Sequence, residues 1–117
     1  MYIITHRKIA RDFNRLNKLI FNDALPHFRY VYIFEYKKTE HWAWCCGDEN
    51  DTNGRFCDLR IGAVVPSRQT FLNILAHEMI HLCQWLSIGE MHHGKPFFQW
   101  NKKLKKFNIT VSLSELM

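Results

Sequence analysis

The sequence predicts an α+β domain: a three-stranded, mainly antiparallel sheet packed against an N-terminal helix, a buried helix and a C-terminal helix. Three observations predict it. Residues 5–22 (THRKIARDFNRLNKLIFN) place apolar side chains at three- and four-residue steps. Three short runs rich in β-branched and aromatic residues follow with brief links: YVYIFEY at 30–36, HWAWCC at 41–46 and RFCDLRI at 55–61. Residues 71–86 (FLNILAHEMIHLCQWL) then run without Gly or Pro and are apolar almost all round, as a core helix is.

In the first helix Ile9, Phe13, Leu16 and Ile20 form the apolar stripe, and Thr5 is its expected N-cap. The opposite face carries Arg7, Lys8, Arg11, Arg15 and Lys18, which read as a solvated face rather than a nucleic-acid stripe. Leu25-Pro26 ends the helix and starts an extended stretch. After the first strand comes a polar link at 37–40. The second strand alternates Trp42, Trp44 and Cys46 against His41, Ala43 and Cys45. The loop at 47–54 (GDENDTNG) is dense in turn formers but lacks the final Glu of an EF-hand, which excludes that calcium site. The third strand alternates Phe56, Asp58 and Arg60 against Cys57, Leu59 and Ile61, and the three strands read as an antiparallel meander. Pro66-Ser67 offers an N-cap to the buried helix, with Thr70 as second choice, and Gly89 ends it. Pro96 suits the first turn of a last helix over 96–106, with Phe97, Trp100 and Leu104 inward. Lys102, Lys103, Lys105 and Lys106 crowd its end, and 107–117 reads as a short extended tail.

A length of 117 residues suits one domain spanning 1–117, and a monomer is the favoured state. Hydrophobic residues make up 47% and aromatics 15%, which supports a packed core and excludes a disordered chain. No apolar run approaches the roughly 20 residues that span a bilayer. The start, MYIITHRKIARDF, turns charged too soon for a secretory signal, so an intracellular protein is expected, in the cytoplasm or with the nucleoid or nucleus. Cys45, Cys46, Cys57 and Cys83 form no C-x-x-C pair and read as free thiols in a reducing compartment, Cys83 as a core residue. A net charge of +5 permits a polyanionic partner without establishing one.

Within the buried helix, His77-Glu78-Met79-Ile80-His81 has the H-E-x-x-H spacing. Residues four apart lie one turn apart on one face, so both imidazoles reach one metal ion. In such a site the His pair binds Zn²⁺, and Glu78 is the general base that takes a proton from water activated there. At about 100° per residue, Asn73, His77, His81 and Gln84 fall within roughly 80° of arc, a single polar stripe on an apolar cylinder. A catalytic zinc takes three protein ligands. The candidates for the third are Glu90, His92, His93 and, remotely, Glu115. The metzincin pattern fails, because Gln84 stands where its Gly should be and Ser87 where its third His should be.

His93-Gly94-x-x-Phe97, following the H-E-x-x-H segment, resembles the signature of the SprT-like metalloprotease family. Phe21-Asn22-Asp23 with Leu25-Pro26, the segment Phe56-Cys57-Asp58-Leu59-Arg60-Ile61, and Leu75-Ala76-His77-Glu78-Met79-Ile80-His81 resemble further family segments in the same order. Roughly nine-tenths of the chain, 7–108, is covered. The resemblance implies a small zincin-like metalloprotease core. It also implies His93 as third zinc ligand, zinc-dependent hydrolysis of peptide bonds, and substrates that include DNA-bound or DNA-crosslinked proteins. It further implies that the 56–61 strand is the sheet edge along which a peptide lies. Two departures from the family pattern are expected: a core without the C-terminal zinc ribbon, and a short link from His81 to His93. Single-stranded DNA is the expected nucleic-acid partner, through Lys102, Lys103, Lys105 and Lys106, with Trp42, Trp44, Trp85 and Trp100 as available stacking rings. The alternatives are a zinc-containing binding module without protease activity, and an effector protease with one dedicated protein target.

Overall fold

The structure, a computed structural model, describes residues 1–35, 42–47 and 56–112. The expectations for the 37–40 link, His41, most of the 47–54 loop, Arg55 and Glu115 lie outside the described residues. The elements run β1 (Tyr2–Ile3), α1 (His6–Ile20), β2 (Val31–Phe34), β3 (Ala43–Gly47), β4 (Cys57–Gly62), β5 (Val64–Val65), α2 (Arg68–Ile88), α3 (Lys95–Gln99) and α4 (Asn101–Leu104), with a 3₁₀ turn at Lys105–Phe107. The architecture is α+β, as the patterning predicts. Among the described residues no helix is long and apolar enough to cross a membrane.

In α1 the Thr5 hydroxyl accepts a hydrogen bond from Lys8 N at 3.2 Å, filling the cap. Ile9, Phe13, Leu16 and Ile20 are at most 2% exposed. Each such burial stabilises the fold by roughly 1.5–3 kcal/mol. The chain leaves the helix through Asn22 and Asp23, both in the left-handed region (φ 55° and 58°) that short polar side chains tolerate best. The Asn17 amide holds Leu25 at both backbone groups, donating to its O at 2.8 Å and accepting from its N at 3.1 Å. Buried Asp12 accepts from Arg11 and Arg68, each at 3.1 Å, so a desolvated carboxylate ties α1 to the start of α2.

The sheet differs from the predicted meander. Its order is β2-β4-β3: β4 pairs parallel with β2 (Val31↔Leu59) and antiparallel with β3 (Ala43↔Ile61). Half of its pairing is thus parallel, and β3 lies within the crossover from β2 to β4. The physical reason lies in β4 itself: Cys57, Leu59 and Ile61 are fully buried, which favours a strand with neighbours on both sides. The 56–61 segment is therefore the centre of the sheet and not its edge; among the described residues β2 and β3 are the edges. A two-stranded antiparallel ribbon of β1 and β5 (Tyr2↔Val65) lies apart from it, too short to leave a periodic signal in the sequence.

Helix α2 extends beyond the predicted 71–86 at both ends. The Ser67 hydroxyl accepts from Thr70 N at 3.1 Å, and Gly89 ends the helix in the left-handed conformation, φ 71°. The predicted last helix at 96–106 is divided into α3, α4 and the 3₁₀ turn. The division falls at Trp100, whose ring lies 4.9 Å from that of Phe21. Beyond Asn108, Ile109 and Val111 are buried, and the Asn101 amide bonds both backbone groups of Val111, at 2.9 and 3.2 Å.

Helix α2 packs on the same face of β3 that carries Ala43, Cys45 and Gly47. A Cβ at Gly47 would overlap the Trp85 indole, so only glycine allows strand and helix to approach this closely. Gly47→Ala is expected to lower unfolding stability by about 1–3 kcal/mol, the usual cost of overpacking, measured as a drop in the urea midpoint.

Candidate metal centre

The polar stripe of α2 carries the site. His77 and His81 are one turn apart on a helix whose other faces are in the core, and His77 is fully buried. His93 arrives from the loop between α2 and α3. The Nε2 atoms of the three rings converge: His77 to His81 is 3.2 Å, His77 to His93 is 3.1 Å, and His81 to His93 is 3.0 Å. Phe97, itself fully buried, lies against all three, with ring centroids 4.7, 5.1 and 5.0 Å from those of His77, His81 and His93. The sequence pattern marks Phe97 as an inward residue; its place as a common floor for three imidazoles becomes visible only in the fold.

Hydrogen bonding alone cannot satisfy this triangle. A neutral ring nitrogen is either donor or acceptor. Three mutually adjacent nitrogens must therefore include two of the same kind. A protonated ring would not help, because burial, followed by the neighbouring imidazoles, pushes His77 down to about 3. Burial likewise lowers His81 and His93. At neutral pH the site presents three uncharged imidazoles, which is the state that ligates metal. The His81 Nδ1 lies 2.9 Å from Gln84 Oε1. The Ser112 backbone favours a proton on His77, although Nδ1 has no partner at full hydrogen-bond geometry. This trio is the group of His, Cys, Asp and Glu side chains, among the described residues, whose ligand atoms are placed to hold one metal ion.

The other candidates sit elsewhere. Glu90 is exposed, and His92 turns Nδ1 toward the backbone N–H of Gly94, 3.0 Å away. Glu78 is 1% exposed, and its Oε2 lacks a hydrogen-bond partner among the described residues. Burial, with Cys57 adding to it, pushes its carboxyl up to about 8. Beside it a cavity of about 230 Å³ opens between β3, through Ala43, Trp44 and Cys45, and the residues Glu78, His81, Met91 and His93. Cys45 and Cys57 are free thiols, and their mutual hydrogen bond, reinforced by burial, raises the Cys45 pKa.

The match of a family model settles the lineage. The model of the SprT-like family covers residues 9–114. The chain belongs to the SprT-like family. No curated protein and no solved structure matches it in comparison. For a SprT-like chain, the order of the H-E-x-x-H helix and the H-G-x-x-F loop brings one metal-capable cluster together from residues 16 apart in sequence. Membership accords with a metallopeptidase-type domain.

The buried carboxyl gives a pH test on the metal-free chain. Glu78 has a folded pKa of about 8 against 4.5 for an ordinary Glu, so the folded state holds the extra proton and stability falls as pH rises between those values. The histidines have the opposite sign: their folded pKa values are lowered from 6.5, so stability rises with pH through that value and their contribution is complete about one unit above it. From pH 6.5 to 8 the stability of the wild type relative to Glu78→Gln should therefore fall by up to about 1.4 kcal/mol per pH unit, the histidine contribution being common to both chains, measured by urea unfolding in chelator.

Proposed function

We propose that the protein is a zinc-dependent metalloendopeptidase with a zincin-like core, its one domain spanning 1–117. The observation that carries this reading is the convergence of three neutral imidazole nitrogens beside a buried carboxyl, one oxygen of which lacks a partner among the described residues, at the wall of one cavity. Zn–N bonds of about 2.0–2.1 Å in a tetrahedral site put ligand nitrogens about 3.3–3.4 Å apart. The observed 3.0–3.2 Å lies within a few tenths of an ångström of that spacing. His77, His81 and His93 would hold the ion. Zinc bound there supplies a Lewis acid that acidifies water and polarises a peptide carbonyl.

The protein's own groups do the rest. Glu78 is the general base: it takes the proton of the attacking water and hands it to the leaving amine. In the metal-free chain its raised pKa keeps it protonated at neutral pH; a cation held by the three imidazoles would favour the ionised form, which can then accept a proton at Oε2, an oxygen without a partner among the described residues. The strand for substrate pairing is β3. Trp42 O accepts from Gly62 N, so alternation turns the backbone groups of Ala43 and Cys45 toward the outer edge, beside the cavity. An extended peptide added there places its carbonyl near the imidazole triangle. Glu78→Gln should retain one zinc per chain while peptide hydrolysis falls by at least about 10³-fold. His77→Ala and His81→Ala should lose zinc and activity together, and His93→Ala should keep weakened zinc binding through the helical pair while losing activity. Undiminished hydrolysis by Glu78→Gln would overturn the mechanism.

The substrates assigned are proteins, among them proteins held on DNA. Lys102, Lys103, Lys105 and Lys106 are all exposed, and Lys103 Nζ lies 5.8 Å from the Trp100 ring centroid. A cation beside an indole suits single-stranded DNA. Replacing the four lysines with Glu should weaken binding of a single-stranded oligonucleotide at least about tenfold at low salt. Hydrolysis of a DNA-free peptide should stay unchanged. Binding that ignores both salt and these substitutions would remove DNA from the reading.

A further inference from the structure

We propose that Gln84 is a positioning residue that couples two metal ligands, His81 and His93, which come from different elements. The inference rests on the reading of the His triad as a metal site, and it adds a residue to which neither the motif nor the family signature assigns a role.

The backbone N–H of His92 can only donate and its carbonyl can only accept. Gln84 meets both: His92 N donates to Gln84 Oε1 at 3.1 Å, and Gln84 Nε2 donates to His92 O at 3.2 Å. These two bonds determine which end of the amide is oxygen. That same oxygen lies 2.9 Å from His81 Nδ1. An amide oxygen cannot donate, so His81 Nδ1 carries the proton and His81 Nε2 carries the lone pair. That lone pair faces the triangle. The tautomer needed for ligation is thus set by the main chain of the loop that delivers the third ligand.

The coupling also runs from α2 to that loop. Gln84 is three residues after His81, one neighbouring place on the helix surface. Its amide grips His92 at both backbone groups, immediately before His93. On the far side of His93, Gly94 N donates to His92 Nδ1 at 3.0 Å, and a Cβ at Gly94 would come within 3.1 Å of that ring. His93 therefore leaves a segment held from both sides. The link between α2 and α3 is short, and this grip positions the His93 side chain over His77 and His81. Gln84 is 9% exposed and both lone pairs of its oxygen are used, as expected of a buried amide with a specific task.

The test measures zinc affinity by chelator competition on wild type, Gln84→Leu, Gln84→Glu and His93→Ala, and on Gln84→Leu combined with His93→Ala. Visible spectra of the cobalt forms report coordination, and unfolding of the metal-free chains reports stability. Wild type should bind one zinc; if it binds none, the triad reading itself fails, and this inference with it, before any variant is compared. Gln84→Leu should lose about 10–100-fold in affinity, the usual cost of a lost outer-shell partner, and should alter the cobalt spectrum. Gln84→Glu keeps the acceptor for His81 and His92 N–H and should recover most of the affinity. In the His93→Ala background, Gln84→Leu should cost clearly less than in the parent, because part of its action goes through His93. Wild-type zinc affinity in Gln84→Leu would overturn the inference. An equal loss with and without His93 would also overturn it, as would a loss matched by collapse of the metal-free fold and not restored by Gln84→Glu.

Discussion

The structure depends on keeping polar nitrogens inside an apolar helix. Helix α2 is buried on nearly every side, yet its stripe carries two imidazoles, and a third joins them within hydrogen-bonding distance. Water is scarce there, so each polar atom needs a partner supplied by the protein or by an ion. Much of the surrounding detail answers that need. Phe97 closes the base of the cluster, Gln84 takes the outer nitrogen of His81, and the tail beyond Asn108 reaches the neighbourhood of His77.

The stripe is also a fastening line for distant chain. Asn73, near its start, accepts from Thr110 N at 3.3 Å and from Gln69 at 3.1 Å, and Gln69 reaches Asn108 O at 2.6 Å. Gln84, near its end, holds the His92 backbone. Amides suit this work because each offers a donor and an acceptor at one place, as an exposed piece of backbone does. Asn17 and Asn101 do the same at Leu25 and Val111. The domain thus joins its irregular segments to its helices largely by side-chain amides.

Legibility in the sequence followed the range of each signal. Helix spacing is local, so the stripe, the caps at Thr5 and Ser67 and the closeness of His77 to His81 could be read from residues a few positions apart. Strand alternation is local too and marked β2, β3 and β4, but it says nothing about which strand lies beside which. The central position of β4 arises from covering Cys57, Leu59 and Ile61 on both sides, a demand met by residues some 28 positions away in β2. For the same reason the 56–61 segment reads as an edge in the sequence and lies at the centre of the sheet in the fold. No spacing rule selects His93 over His92, because loop direction depends on a grip formed across eight residues; the family signature supplied that choice. The division of the last helix at Trp100 had no Gly or Pro to announce it.

The edge position of β3 has a consequence for how such a domain changes over time. His77, His81 and Phe97 lie in the core and His93 is held from the loop beside them, whereas Trp44 and Cys45 meet the cavity from the rim of the sheet. Variation at the rim alters what the cleft admits and leaves the ligand triangle in place. A substitution at the rim can therefore reshape the cavity wall in a single step while the three imidazoles stay where they are.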